Sequence, residues 1–151
     1  MAEYNYIQRQ TVAPAGNFLL NDAIPCTRGY VIHRHGSGIV TLRGIVNNPC
    51  CGFARYKVVV NGNIAISEGA TVAPIAIAIA VDGEELQVSK AIVTPAAIGD
   101  FFNVTCVATI DVPRGCCNSI SVENVPASTE AGYTQTLVDG QNLTVTVTRT
   151  A

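Results

Sequence analysis

Residues 143–149 alternate strictly, with Leu143, Val145 and Val147 set against Thr144, Thr146 and Thr148. Only an extended strand turns that period of two into one apolar face and one hydroxyl face. The same period governs a longer run, where Phe102, Val104, Cys106, Ala108 and Ile110 alternate with Asn103, Thr105, Val107 and Thr109 before Pro113 stops it. Residues 30–34, 39–46 and 58–66 read as further strands, and Ile120 and Val122 face away from Ser121 and Glu123. No stretch repeats at 3.6 residues and no internal repeat of fixed period is visible, so helix, solenoid and propeller are not expected.

Turn chemistry falls at short intervals, at Asn61-Gly62, Asp82-Gly83, Pro113-Arg114-Gly115 and Asp139-Gly140. Each reads as a hairpin or loop, and regular short strands with such turns point to a sandwich or barrel. The sharpest is Asp82-Gly83, a tight hairpin whose tip exposes Glu84 and Glu85. The strand before it is unusual because Ile75, Ile77, Ile79 and Val81 occupy one face while Ala76, Ala78 and Ala80 occupy the other. Both faces are apolar. Such a strand is either covered on both sides by its own domain or closely approached by a second subunit across the alanines, and burial at or near a subunit interface is the expectation.

At 151 residues the chain has room for one domain, and only 13% of it is charged, against about 25% in an average soluble domain. That low fraction points to surface buried between subunits. A net charge of −2 argues against a nucleic-acid binder. The distribution is uneven: residues 1–60 hold six basic against two acidic side chains, a net +4, and the remainder is net −6. Oriented docking on a charged partner would follow if the fold segregates these charges. The start, MAEYNYIQRQTV, lacks the features of a secretory signal, and no apolar run is long enough to span a membrane as a helix, so a cytosolic origin is expected.

Six cysteines invite disulfide or metal readings, yet Cys50-Cys51 and Cys116-Cys117 are adjacent pairs and not the spaced pairs of a zinc site. Reduced structural thiols are expected, with bridges formed after release, or a metal, left open. Cys106 falls on the apolar face of its strand and reads as an inert buried thiol. His33 and His35 share one face of a predicted strand, a weak metal candidate beside the simpler reading of a solvated face. They are the only histidines, and no nucleophile elbow or phosphate loop occurs, so no catalytic residue and no cofactor is expected. Glu84 and Glu85 at a hairpin tip read as a solvated turn, and the Asn103-Val-Thr and Asn142-Leu-Thr glycosylation patterns as coincidental because both fall on strands.

The succession ARYKVVVNGNIAI, PIAIAIAVDGEEL, FFNVTCVATIDVPRGCCNSISVEN and NLTVTVTR resembles the trimeric jelly rolls of the C1q and tumour-necrosis-factor type. Tyr56, Asp82-Gly83, Gly115, Asn124 and residues 143–149 stand where that family has a tyrosine-bearing strand, a short hairpin, a glycine turn, a strand ending near Asn and a closing strand beside the trimer axis. The likeness covers residues 53–151. There is no collagen stalk, no tryptophan and few aromatics. The segment PCTRGYVIHRHGSGIVTLRGIVNNPCCGFARY resembles small proteins encoded near structural genes in phages and prophages of gut Firmicutes.

These resemblances imply an all-β antiparallel jelly-roll sandwich assembled as a homotrimer. Residues 1–25 would be an N-terminal arm, docking through Phe18, Leu19 and Leu20, or a first strand; residues 26–151 would form the jelly roll. The trimer interface would hold Ala76, Ala78, Ala80, Leu143, Val145 and Val147. The implied function is a non-enzymatic capsid-decoration or head-fibre protein, assembled in the host bacterial cytoplasm and bound to the major capsid or another virion protein. The alternative is a receptor- or glycan-binding trimer using loops at Asp82, Gly83, Glu84, Glu85, Arg114 and Asn118, and at 128–133. Neither reading involves nucleic acid or a membrane.

Overall fold

A computed structural model describes residues 2–24, 30–34, 36–44, 52–131 and 133–150. Twelve strands lie in these residues: β1 (Ala2–Tyr6), β2 (Gln10–Val12), β3 (Asp22–Ile24), β4 (Val31–His33), β5 (Val40–Arg43), β6 (Phe53–Ile66), β7 (Ile75–Val81), β8 (Glu84–Glu85), β9 (Ala91–Val93), β10 (Phe102–Pro113), β11 (Cys117–Val125) and β12 (Val138–Arg149). One 3₁₀ turn, Gln87–Ser89, sits between β8 and β9. The protein is all-β, as its periodicity predicts.

Two antiparallel sheets face each other. The first runs β10-β6-β12-β1-β3 with β2 also on β12, and the second β4-β5-β11-β7-β8 with β9 also on β7. The pairs β1/β12, β5/β11, β6/β10 and β7/β9 are nested, the outermost partners in sequence enclosing the inner ones. Nested pairs wrapped over two sheets make a jelly roll. The 14-residue β6 and 12-residue β10 form the longest ladder, in unbroken register from Phe102↔Ile64 to Pro113↔Phe53.

The core lies between the sheets because each strand turns its apolar set inward. Val58, Val60 and Ile64 of β6, Cys106 and Ile110 of β10, and Leu143, Val145 and Val147 of β12 meet Ile75, Ile77 and Ile79 of β7 and Ile120 and Val122 of β11. A void within this layer, about 10 Å³, is at the lower limit for a single water. Residues 2–24 close on their own chain: β1 pairs with β12, Phe18 and Leu20 are buried in the same core, and Phe18 N–H donates to the Val122 carbonyl at 2.8 Å. Leu19 stays exposed.

Two glycine pairs read as turns lie inside strands. Asn61-Gly62 falls within β6, and Asp139-Gly140 within β12. Both glycines make room for a core side chain: a Cβ on Gly62 would come to 2.9 Å from Leu143 Cδ1, and one on Gly140 to 2.6 Å from Phe18 Cε1. β12 also skips register against β6 between Gln141 and Thr144, where Asn142 has φ +54°. Asp82-Gly83 is a hairpin, with φ of +51° and +87°, the left-handed pair of a type I′ turn.

Candidate functional site

Strand direction sorts the loops into two ends. At one end lie the β7–β8 hairpin and the turn from Pro113 to Cys117; at the other lie residues 67–74, 94–101 and 126–137. The sequence-predicted loops therefore do not form one surface. Asp82, Gly83, Arg114 and Asn118 share the first end, while residues 128–133 belong to the second.

At the hairpin end the side chains are engaged in holding the backbone. Asp82 Oδ1 accepts from the Ser119 N–H at 2.8 Å and from its hydroxyl at 3.2 Å. Glu85 folds back: its Oε1 accepts from Gln87 Nε2 and lies 3.5 Å from Lys90 Nζ, which donates to the Pro126 carbonyl at 3.0 Å. Burial, then the neighbouring Glu85 charge, pushes the Glu123 carboxyl upward. Glu84 and Arg114 are exposed, and Asn118 pairs with Leu42.

The six residues expected at a trimer interface are covered within the single chain. Leu143, Val145 and Val147 point into the sandwich, leaving Thr144, Thr146 and Thr148 outward. Ala76, Ala78 and Ala80 are fully buried on the outer face of β7, in register with Val125, Glu123 and Ser121 of β11; Val125 and Ala127 pack with Ala76 and Ala78. Small side chains let these flanking residues close over the strand, so none of the six has surface to give a neighbour.

His33 Nε2 donates to the Ser37 carbonyl at 2.8 Å and its ring lies 4.6 Å from that of Tyr4, which ties down the ring and one of its nitrogens. His35, Cys26, Cys50 and Cys51 lie outside the described residues. Cys106 is buried and its thiol is pushed up to about 11 by desolvation; Cys116 and Cys117 are exposed, and all three are free thiols. Among the described residues no three of His, Cys, Asp and Glu gather as metal ligands.

The opposite end carries a concave feature. A cleft of about 630 Å³ is lined by Pro14, by residues 69–74 and by residues 133–137. Its polar groups are the hydroxyls of Thr71, Thr134 and Thr136, the Gln135 amide and Tyr133, and its apolar ones include Val72 and Leu137; among the described residues no charged side chain lines it. The walls are fixed from behind. Tyr133 Oη donates to the Pro74 carbonyl at 2.9 Å and accepts from the Ala127 N–H at 3.2 Å. Buried Asn124 donates to the carbonyls of Val12 at 3.1 Å and Thr136 at 3.0 Å, and Gln135 donates to the Asn124 carbonyl at 2.8 Å. The sequence marked Asn124 and Tyr133 only as the end of a strand and of a loop. Thr71, Thr134 and Thr136 carry no local signal, because loops far apart in the chain bring them together.

Charge does not follow the chain halves: Arg43, Arg55, Arg114 and Arg149 share the hairpin end with Asp82, Glu84, Glu85 and Asp111, whereas the opposite loops carry Glu68, Asp100 and Glu130. Arg55 bonds Asp111 at 2.8 Å, which holds that carboxyl low, and Arg149 lies 4.1 Å over the Tyr30 ring. Arg9, from the basic half of the sequence, sits at the acidic end, where it pairs with buried Asp139.

No protein-family model matches the chain. No curated protein matches it either. Among solved structures the chain is similar to the EclA C-terminal domain, a sugar-binding protein, at 15% identity over 81% of this chain and 86% of that one, with a TM-score of 0.36.

Proposed function

We propose that this protein is a non-enzymatic binding module that takes a neutral, hydroxyl-rich ligand, a saccharide, in the cleft between residues 69–74 and 133–137. The observation that carries this reading is the lining: hydroxyl and amide groups beside aliphatic patches, without a charged side chain among the described residues, on loops pinned by Asn124 and Tyr133. Sugars present that same mixture of hydroxyls and apolar C–H faces. A cleft with its walls already hydrogen-bonded also loses little entropy when a ligand binds.

A glycan array probed with the purified protein, followed by calorimetry on each hit, tests this directly. Thr134→Val and Thr71→Val keep the shape and remove one hydroxyl each, so binding should weaken about tenfold per hydroxyl used while the melting temperature holds. Silence across a diverse array, or binding indifferent to both changes, overturns the assignment.

A second reading is a structural component of a phage virion, a capsid decoration or head-fibre protein assembled in a bacterial cytoplasm. The low charged fraction and a long open sheet edge at β10 favour a chain built to assemble. Co-purification with assembled particles at fixed stoichiometry, unaffected by the cleft variants, would select this reading over the first.

A further inference from the structure

Among the described residues β10 bounds the first sheet and pairs only with β6. The strands β2, β3, β4, β8 and β9, also at sheet margins, are two or three residues long, whereas β10 runs for twelve. A long edge offers a row of unpaired N–H and C=O groups to any other strand, and proteins blunt such edges with lysines, prolines, bulges or short length. From Phe102 to Ile110 β10 has none of these. Its single charge, Asp111, is held by Arg55, and its proline is the last residue. Exposed apolar side chains flank it: Phe102 at 41% and Val107 at 44% on the strand itself, and Val88 at 85% and Ile92 at 52% on the neighbouring 3₁₀ turn and β9.

The side chains of β10 also read nearly the same in both directions from Val107. Cys106 matches Ala108, Thr105 matches Thr109, Val104 matches Ile110, and Asn103 matches Asp111. We propose that the occupant of this edge is a second copy of the chain, whose β10 pairs antiparallel with the first about a twofold axis through Val107.

A twofold contact is isologous, so a strand can satisfy it only if its own pattern is self-complementary, and this one is. Threonine meets threonine and Val104 meets Ile110. Each Asp111 meets the Asn103 amide of the other copy, and the two carboxylates stand eight residues apart, ~27 Å at the rise of an antiparallel strand. No like charges are opposed. A slip by one residue would set outward positions against inward ones, and a shift of the axis to Ala108 would set Thr105 against Asp111. With the axis normal to the sheet, the Val88 and Ile92 edges of the second sheets meet as well, and the exposed apolar surface of this margin is covered.

Light scattering on the full chain at micromolar concentration should give a dimer. Val107→Cys should form a covalent dimer on mild oxidation, with a 107–107 linked peptide by mass spectrometry that the wild type and a Lys57→Cys control lack. Val107→Lys, an outward-facing change, should keep the circular dichroism spectrum and weaken dimerisation by about tenfold or more through like charge at the axis. A wild-type monomer or trimer, a dimer without the 107–107 link, or a dimer unchanged by Val107→Lys overturns the proposal.

Discussion

Gly140 shows how much can hang on a missing side chain. Its backbone passes so close to the Phe18 ring that a Cβ has nowhere to go without moving the ring. Gly140→Ala is expected to cost about 1–3 kcal/mol by overpacking, measured as a shift in urea midpoint, and the loss should shrink in a Phe18→Leu background because the two changes share one contact. Leu143→Ala removes the side chain that Gly62 accommodates and leaves a core cavity, for a loss of about 2–5 kcal/mol. Asn124 differs in kind: it is a buried amide tying β2 and the cleft wall to β11, so Asn124→Ala leaves the Val12 and Thr136 carbonyls without that donor. It should cost about 1–3 kcal/mol and weaken ligand binding in the cleft at the same time, whereas Leu143→Ala should affect stability alone.

At the scale of elements, the β7–β8 hairpin and the two Asx-Gly pairs inside strands share a turn-forming dipeptide and differ in what surrounds it. Asp82 adopts φ +51° and clasps Ser119 with its carboxylate, so turn and side chain cooperate. Asp82→Asn retains an acceptor and tolerates the left-handed region, and is expected to be near neutral. Asp82→Ala loses the clasp and strains the backbone, for about 1–2 kcal/mol in a thermal melt. Around Gly62 and Gly140 the dipeptides sit on long strands already paired on both sides, and ladder continuity overrides the turn preference. Strand existence was legible from alternation alone, since burial in β10 follows it from Val104 to Val112. Phe102 departs from its alternation and is exposed because it stands at the strand's open beginning.

For the whole molecule, two carboxylates should shape stability against pH in opposite senses. Burial works to raise the Asp139 carboxyl, but hydrogen bonds from Thr11, Arg9 and Ser67 outweigh it and hold it below the ordinary value. The folded state therefore binds that proton less readily than the unfolded one, and its contribution, present above an unfolded value of about 3.9, is lost as pH falls through the lower folded value. Glu123 is raised, so its stabilising contribution is present below an unfolded value of about 4.3 and is lost as pH rises through the higher folded one. Glu123→Gln should thus raise the melting temperature at neutral pH and give no advantage in acid below both values. Asp139→Asn should do the reverse, costing most at neutral pH.

Period-two alternation, the Asp82-Gly83 turn and the lack of any helical pattern determined an all-β antiparallel fold from sequence alone, because those signals act between residues adjacent in the chain. Which neighbour each face meets is a non-local matter. The hydroxyl face of 143–149 turns outward and its apolar face inward, the alanines of β7 are closed over by their own chain, and two glycines serve packing and not turning. The cleft, too, exists only where residues 69–74 and 133–137 meet, some sixty residues apart along the chain. Alternation defines two faces for every strand, but only the order in which the strands pair decides what each face buries and which edge is left open.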